Sequence, residues 1–432
     1  MLLLLLSFFK ISYQAEIPEP TRRVTLTPEP TRTEIPDGSK KYIDQIINED
    51  IDETNKQIQI NEQSPIKQIS GCTFRNIGVD KNFYIKIDKE IPFFNNIFEN
   101  DEVKEGRPSV IWVSNNIKFT LSRCKFVKCN GRTTDGNILT ANTNHQVHVT
   151  FEYCEFIDCS NSSNRALVNF QDKAYSTDES SANFTECIFR FNEASNGCRV
   201  LDCVGEIAVF DRCEFYQCGP NTINIPDTTA ESPTSGSFQF TNNLVTKMNG
   251  RLIHIETTST QLQINSNTFD QITIQSGYFI QINHKLDELT IHHNSFSRMT
   301  NTGDSNCGGI ATLIHKKNNE HQAFKLTYDS CTFIDISNHI TTATQSYGGA
   351  VQLGFSTNLN TLSVSLTNCI FKNNKATKHG GAVAIGTTSA ISIVNCTFEN
   401  NKANNKEGSS SSLLGEKAEG RGGAIFLSTS ST

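Results

Sequence analysis

At 432 residues, the chain is long enough for two or three ordinary domains or for one extended repeat structure. Its formal net charge of -7 leaves no electrostatic footprint for nucleic acid. Phe occurs 28 times against a single Trp and three Met, which implies one structural position filled by Phe again and again.

The chain opens with MLLLLLSFF, too short to span a bilayer but suited to the core of a secretory signal. Cleavage after Ala15 would define a signal peptide over 1–15. Residues 16–40 repeat EPTR and place Pro every few positions, which blocks helix and central strand alike and reads as an extended Pro/Thr-rich linker. Residues 41–65 follow as an N-terminal cap region. Ile43, Ile46, Ile47 and Ile51 fall at helical spacing there and predict a short capping helix, since a repeat array needs its end covered. No later stretch reaches the length of a membrane helix.

From residue 66 to 432 a repeat takes over, interrupted by the low-complexity loop 404–421. Its words align on Phe74, Phe98, Phe126, Phe156, Phe189, Phe215, Phe269, Phe296, Phe333, Phe371 and Phe398, with Val245 in one gap. Two residues before each anchor stands Cys or Asn: Cys72, Asn96, Cys124, Cys154, Cys187, Cys213, Asn243, Asn267, Asn294, Cys331, Cys369 and Cys396. Apolar residues alternate ahead of the anchor with period two, as in ISIVNCTF and LTIHHNSF, and therefore predict a strand. A second column lies three residues beyond the anchor, at Cys129, Cys159, Asn192, Cys218, Met248, Ile272, Met299, Ile336, Asn374 and Asn401. A further apolar strand follows, often opened by glycine, as in GRLIHI, GYFIQI and GGAVAI. Short strands and glycine turns without helical pattern predict an all-β parallel β-helix of about twelve coils.

The words CKFVKC, CEFIDC and CEFYQC invite a metal reading, but their spacing is longer than in structural zinc pairs. Asn, Ile and Met also fill the same columns and cannot replace a thiolate. Neither a metal nor a cofactor is expected. Most column cysteines are expected as free packing residues, while Cys198 and Cys203, off the column, are the pair suited to a local disulfide. Inward Asn side chains are expected to bond to their copies on the next rung. His292 and His293 should point to opposite faces of a strand; His254, His284 and His315 read as surface or turn residues. The outward column Lys125, Glu155, Glu214, Thr268 and Ser295 mixes signs, and a second, Arg123, Tyr153, Glu186, Arg212 and His293, does likewise. No row of like acids crosses three coils, as polysaccharide cleavage would ask. Sequons stand at Asn161, Asn183 and Asn395.

FKNNKATKHGGAVAI (371–385), and FENN followed by GRGGAIFL (398–427), resemble the paired FxxN and GGA[ILV] repeats of the chlamydial polymorphic outer-membrane proteins. Similar repeats occur in predicted surface β-helix proteins of parasitic protists. The resemblance implies a right-handed β-helix, exposure at the cell surface and a role in adhesion. The expected function is a secreted or cell-surface, adhesin-like protein that binds an extracellular protein or glycan surface without catalysis. The alternatives are a carbohydrate-active, pectin-lyase-like β-helix enzyme with a divergent site, or a self-associating coat protein.

Overall fold

The computed structural model describes residues 42–43, 46–48, 58–75, 85–99, 102–103, 110–113, 117–131, 138–142, 146–161, 166–171, 180–192, 199–203, 207–220, 222–225, 236–255, 259–275, 279–282, 288–302, 312–314, 324–339, 348–353, 362–377, 379–386, 390–403 and 423–427. The chain divides into two units, Met1–Gly38 and Ser39–Thr432. The first unit, and with it the signal peptide and nearly all of the linker, lies outside the described residues, as does the loop 404–421.

Every described element of the second unit is a strand, and every strand pair is parallel, which makes the unit a parallel β-helix. One coil shows the plan. Ile117–Ser122 lies in the first long sheet, Lys125–Val127 in the second, Asn130–Gly131 in a short ladder, and Leu139–Asn142 in a third sheet. The first and second sheets each stack thirteen strands. That is one rung more than the Phe register counts, and the extra rung is N-terminal. Tyr42–Ile43 and Ile46–Asn48 are short strands whose backbones pair with Ile69–Ser70 and Thr73–Arg75. Among the described residues, 42–43 and 46–48 are therefore strands where the Ile spacing predicts a helix, and Ile51 lies outside them. Ile46 and Ile47 are neighbours in a strand, and the backbone register sets Ile47 opposite Phe74.

Alternation decides what points inward. In Ile117–Ser122 the odd positions Ile117, Phe119 and Leu121 are buried, whereas Lys118 and Thr120 are exposed. The anchor phenylalanines form a continuous inner stack. Successive rings from Phe74 through Phe215 lie 4.7 to 5.0 Å apart and nearly parallel. The same holds from Phe269 through Phe398, at 4.7 to 4.9 Å. At the Val245 rung the shorter side chain leaves room, and Phe240 of the first sheet fills it. Its ring lies 5.6 Å from Phe215 and 6.2 Å from Phe269. Such offset stacks add about 0.5–1.5 kcal/mol per pair to the apolar area they bury.

Two corners turn each coil. They are made by single residues with positive φ, of which Gly71 (φ 65) is a glycine and the others described are not. Arg123 (φ 53) and Lys128 (φ 52) bend one coil, Tyr153 (φ 54) and Asp158 (φ 51) the next, and the pair recurs up the stack. A residue in this region costs roughly 1–2 kcal/mol unless it is Gly or Asn; the four C-terminal corners Asn368, Asn373, Asn395 and Asn400 are all Asn. One rung breaks the rule. Phe191, which would hold the second corner, has no positive φ and is buried, while Asn192 is exposed. The second column therefore loses Asn192 from its expected inward place. Glycine matters elsewhere. A Cβ on Gly349 would overlap the carbonyl oxygen of Gly381, and one on Gly381 would overlap that of Gly423. The GGA words thus stack backbone directly on backbone.

Candidate functional site

The Cys/Asn column is built by the first corner, which turns each of these side chains inward against the rung before it. Asn267 shows the geometry. Its Nδ2 donates to the Phe240 carbonyl at 2.8 Å, and its Oδ1 accepts the backbone N–H of Asn243 at 2.9 Å. Asn96, Asn243 and Asn294 repeat the donation to Ile69, Phe210 and Ile264. Cysteine makes the weaker half of this arrangement. The thiols of Cys154, Cys187, Cys213, Cys331, Cys369 and Cys396 face the carbonyls of Leu121, Phe151, Phe184, Ile291, Tyr328 and Leu366 at 3.3–3.5 Å. Cys124 faces Phe93 at 3.8 Å, and Cys72 bonds the Ser70 carbonyl while giving its N–H to Asn96. Asn and Cys share one column because both can donate to that carbonyl. The second column works alike, with Cys129 and Cys159 on Phe98 and Phe126, and Asn374 and Asn401 on Phe333 and Phe371.

Among the described residues, eleven cysteines stand outside any disulfide, all buried except the half-buried Cys396. Burial pushes the Cys124, Cys154 and Cys187 thiols well up from their ordinary value, so these groups stay protonated and inert. No group of three or more potential metal ligands is gathered among the described residues. Cys198 and the side chain of Cys203 lie outside those residues, and so does their proposed bridge. Of the sequons, the Asn161 side chain also lies outside; Asn183 is half-buried within a strand paired on both sides. Asn395 is exposed at a corner, donating to Asn368 Oδ1 at 2.7 Å.

Outward positions carry the chemistry that packing leaves open. Lys125 pairs with Glu155 at 3.2 Å and Arg212 with Glu186 at 2.9 Å, each across one rung. Thr268 and Ser295 continue the Lys125 column in register, and Glu214 sits between Ile188 and Leu244. The Arg123 guanidinium lies 5.8 Å over the Tyr153 ring. His292 and His293 do not diverge as strand neighbours would. The corner at His293 swings the two rings together, Nδ1 to Nδ1 at 2.8 Å.

A polar row on the outer face of the third sheet is absent from the sequence reading. In-register pairing places Trp112, Thr140, Asn169, Asp202, Asn224, His254 and Gln281 one above another. Asp202, only 5% exposed, accepts from Asn224 Nδ2 at 2.8 Å and lies 3.5 Å from Arg199 Nη1. Asn224 Oδ1 faces His254 Nδ1 at 3.0 Å. Because that oxygen only accepts, His254 carries a proton on Nδ1 in this bond. The signal was in the words ILTA, LVNF, VLDC, TINI, LIHI and FIQI, each with a polar third letter.

A groove of about 610 Å³ runs over the C-terminal rungs, lined by Asp335, Ser337, His339, Asn373, Lys375 and Lys402 among others. It overlies the FxNNKA words, whose Lys375 and Lys402 pair in register and are both exposed. Residues 368–386 and 395–428 match the Chlamydia polymorphic membrane protein repeat. The resemblance holds for these two stretches. A search of curated proteins finds no match to the chain.

Seen as polymorphic membrane protein repeats, the two stretches have a physical reason for each fixed letter. Phe371 and Phe398 are the ring stack, at 4.8 Å. The closing Asn of each FxxN word, Asn374 and Asn401, is the second-column amide, with Asn374 Nδ2 on Asn401 Oδ1 at 2.9 Å. The GGA glycines make the close backbone approach described above. Earlier coils keep the ring except at Val245, and most place a buried Cys, Met or Ile where that Asn would stand, as at Cys129, Met248 and Ile336. No described helix is long and apolar enough to cross a membrane.

Proposed function

We propose that this is a secreted or cell-surface protein, adhesin-like, that binds an extracellular protein or glycan through its outward columns and grooves without turning it over. The observation that carries this reading is the division around each coil. Inward columns are committed to one repeated geometry, whereas outward columns change residue type from rung to rung, which suits a scaffold for variable recognition. The match to a polymorphic membrane protein repeat supports display at a surface. The test is saturable binding of the purified full chain to cell surfaces, with parallel assay for new reducing ends or unsaturated products from acidic and neutral polysaccharides. Cleavage abolished by one outward Asp or Glu substitution overturns the reading.

One observation favours a carbohydrate-active enzyme as a second reading: the chain of bonds Arg199–Asp202–Asn224–His254 on the third sheet. It supplies one buried carboxylate and an orientated imidazole, whereas glycoside hydrolysis ordinarily uses two carboxyl groups. Under this reading His254→Gln abolishes polysaccharide turnover; under the first there is none to abolish.

A further inference from the structure

The FxNNKA word occurs twice, as FKNNKA over 371–376 and FENNKA over 398–403, and parallel in-register stacking turns a repeated letter into a column. Its Lys falls in the short ladder that follows the second corner, where Ser337 pairs with Lys375 and Lys375 with Lys402. Two ammonium groups are thereby rooted one strand spacing apart, about 4.8 Å. Like charges set directly side by side repel, and the one carboxylate lining the groove, Asp335, forms no ion pair with either. Among the described residues neither Lys375 nor Lys402 has an ion-pair partner. Glu399 pairs with Lys372 at 3.2 Å, and Asp335 keeps its charge while accepting from Asn373 Nδ2 at 2.9 Å, so the groove holds two lysines against one carboxylate. On a chain of net charge -7 this is a local cationic site.

The groove beside these lysines narrows the class of ligand. Its lining offers amides at Asn373 and Asn400, a hydroxyl at Ser337, an imidazole at His339 and one carboxylate at Asp335, and it contains no Phe, Tyr or Trp. Without an aromatic platform it does not suit stacked bases. With Ile336 as its single aliphatic lining residue it does not suit lipid insertion. Hydrogen-bonding side chains beside regularly spaced cations match a chain of sugars that carries carboxylate or sulfate groups along its length. We propose that the groove over the last three rungs binds an anionic polysaccharide, with Lys375 and Lys402 pairing its acid groups and Asn373, Asn400 and Ser337 meeting its hydroxyls. This deepens the binding function proposed above and rests on it.

The experiment uses the full chain on surfaces carrying heparin, polygalacturonate or neutral dextran, over a salt series, with cell binding measured in parallel. The parent binds one or both anionic polymers, weakening as salt rises, and ignores dextran. Lys375→Ala with Lys402→Ala lowers that binding at least tenfold, and the charge reversal Lys375→Glu with Lys402→Glu abolishes it. Lys325→Ala, which removes a lysine already paired with Glu288, leaves it unchanged. All three positions are exposed, and unchanged circular dichroism shows that folding is retained. Equal binding by the double variant and the parent overturns the proposal, as does equal loss in Lys325→Ala. Binding of single-stranded RNA or anionic vesicles as tight as that of the polysaccharides overturns the ligand class. If the double variant loses neither polymer nor cell binding, the groove fails while the adhesin-like reading stands. A parent that binds neither polymers nor cells sinks both.

Discussion

Asn267 offers a direct test of why Cys and Asn share a column. In Asn267→Ala the backbone N–H of Asn243 loses its acceptor and the Phe240 carbonyl loses a donor. An unsatisfied buried N–H costs about 1–3 kcal/mol, and a void the size of the missing amide adds about 1 kcal/mol. The carbonyl, with two lone pairs, adds less. The expected loss is about 2–4 kcal/mol. Asn267→Cys fills the space and restores the donor, as Cys213 does on Phe184 at 3.4 Å, but offers the Asn243 N–H only a sulfur, a weaker acceptor, as Cys331 does for Asn294. Its expected loss is about 1–2 kcal/mol. Solenoids unfold in segments, so the readout is both the urea midpoint and the exchange rate of the Asn243 amide, which rises in both variants. An Ala variant within about 0.5 kcal/mol of the parent, or a Cys variant less stable than Ala, would refute the interchange argument.

Three further outcomes follow from the same geometry. Phe371→Ala is expected to cost about 3–5 kcal/mol, and Phe398→Ala clearly less, because Phe371 is fully buried and Phe398 only partly; equal urea midpoints would contradict the stacking order. Because burial raises the Cys124, Cys154 and Cys187 thiols above their ordinary value of 9.0, the folded chain holds these protons more tightly than the unfolded one. That stability is complete below pH 9 and is lost as pH rises further, so the urea midpoint should fall between pH 8 and pH 10.5, with alkylation of these thiols slow throughout. Gln217, at φ 53, should gain about 0.5–1 kcal/mol on substitution by Gly and lose more than about 1 kcal/mol on substitution by Val, read by thermal melting.

The sequence carried the inner columns plainly because packing repeats a chemical type at each rung, and Phe or Cys/Asn at a fixed offset survives variable loop lengths. Corners were harder to read. Their requirement is a backbone angle, and Arg123, Tyr153, Glu186 and His293 all meet it with side chains of unrelated chemistry. The usable signal was negative: no β-branched residue precedes any ladder position. At 42–48 the Ile spacing fitted a helix, but pairing with Ile69–Ser70 and Thr73–Arg75 holds that stretch as strands. Asn192 kept its offset in sequence yet faces outward, since Phe191 has more apolar surface to bury. The Asp202–Asn224–His254 row escaped notice because it joins three unlike residues, and only in-register stacking makes them neighbours.

The Asn carbonyl oxygens of the Cys/Asn column all accept from the coil before them. Asn267 satisfies Phe240 and Asn243, both in the coil before it, and its own N–H is met by Asn294 in the coil after. A chain emerging from its N-terminal end therefore completes each coil only when the following one arrives. Growth along the stack proceeds with a lag of one rung, and the newest coil is always the least secured. Removing a coil from the middle of the Asn run would weaken its predecessor more than its successor, a polarity that the near symmetry of the stacked phenylalanine rings conceals.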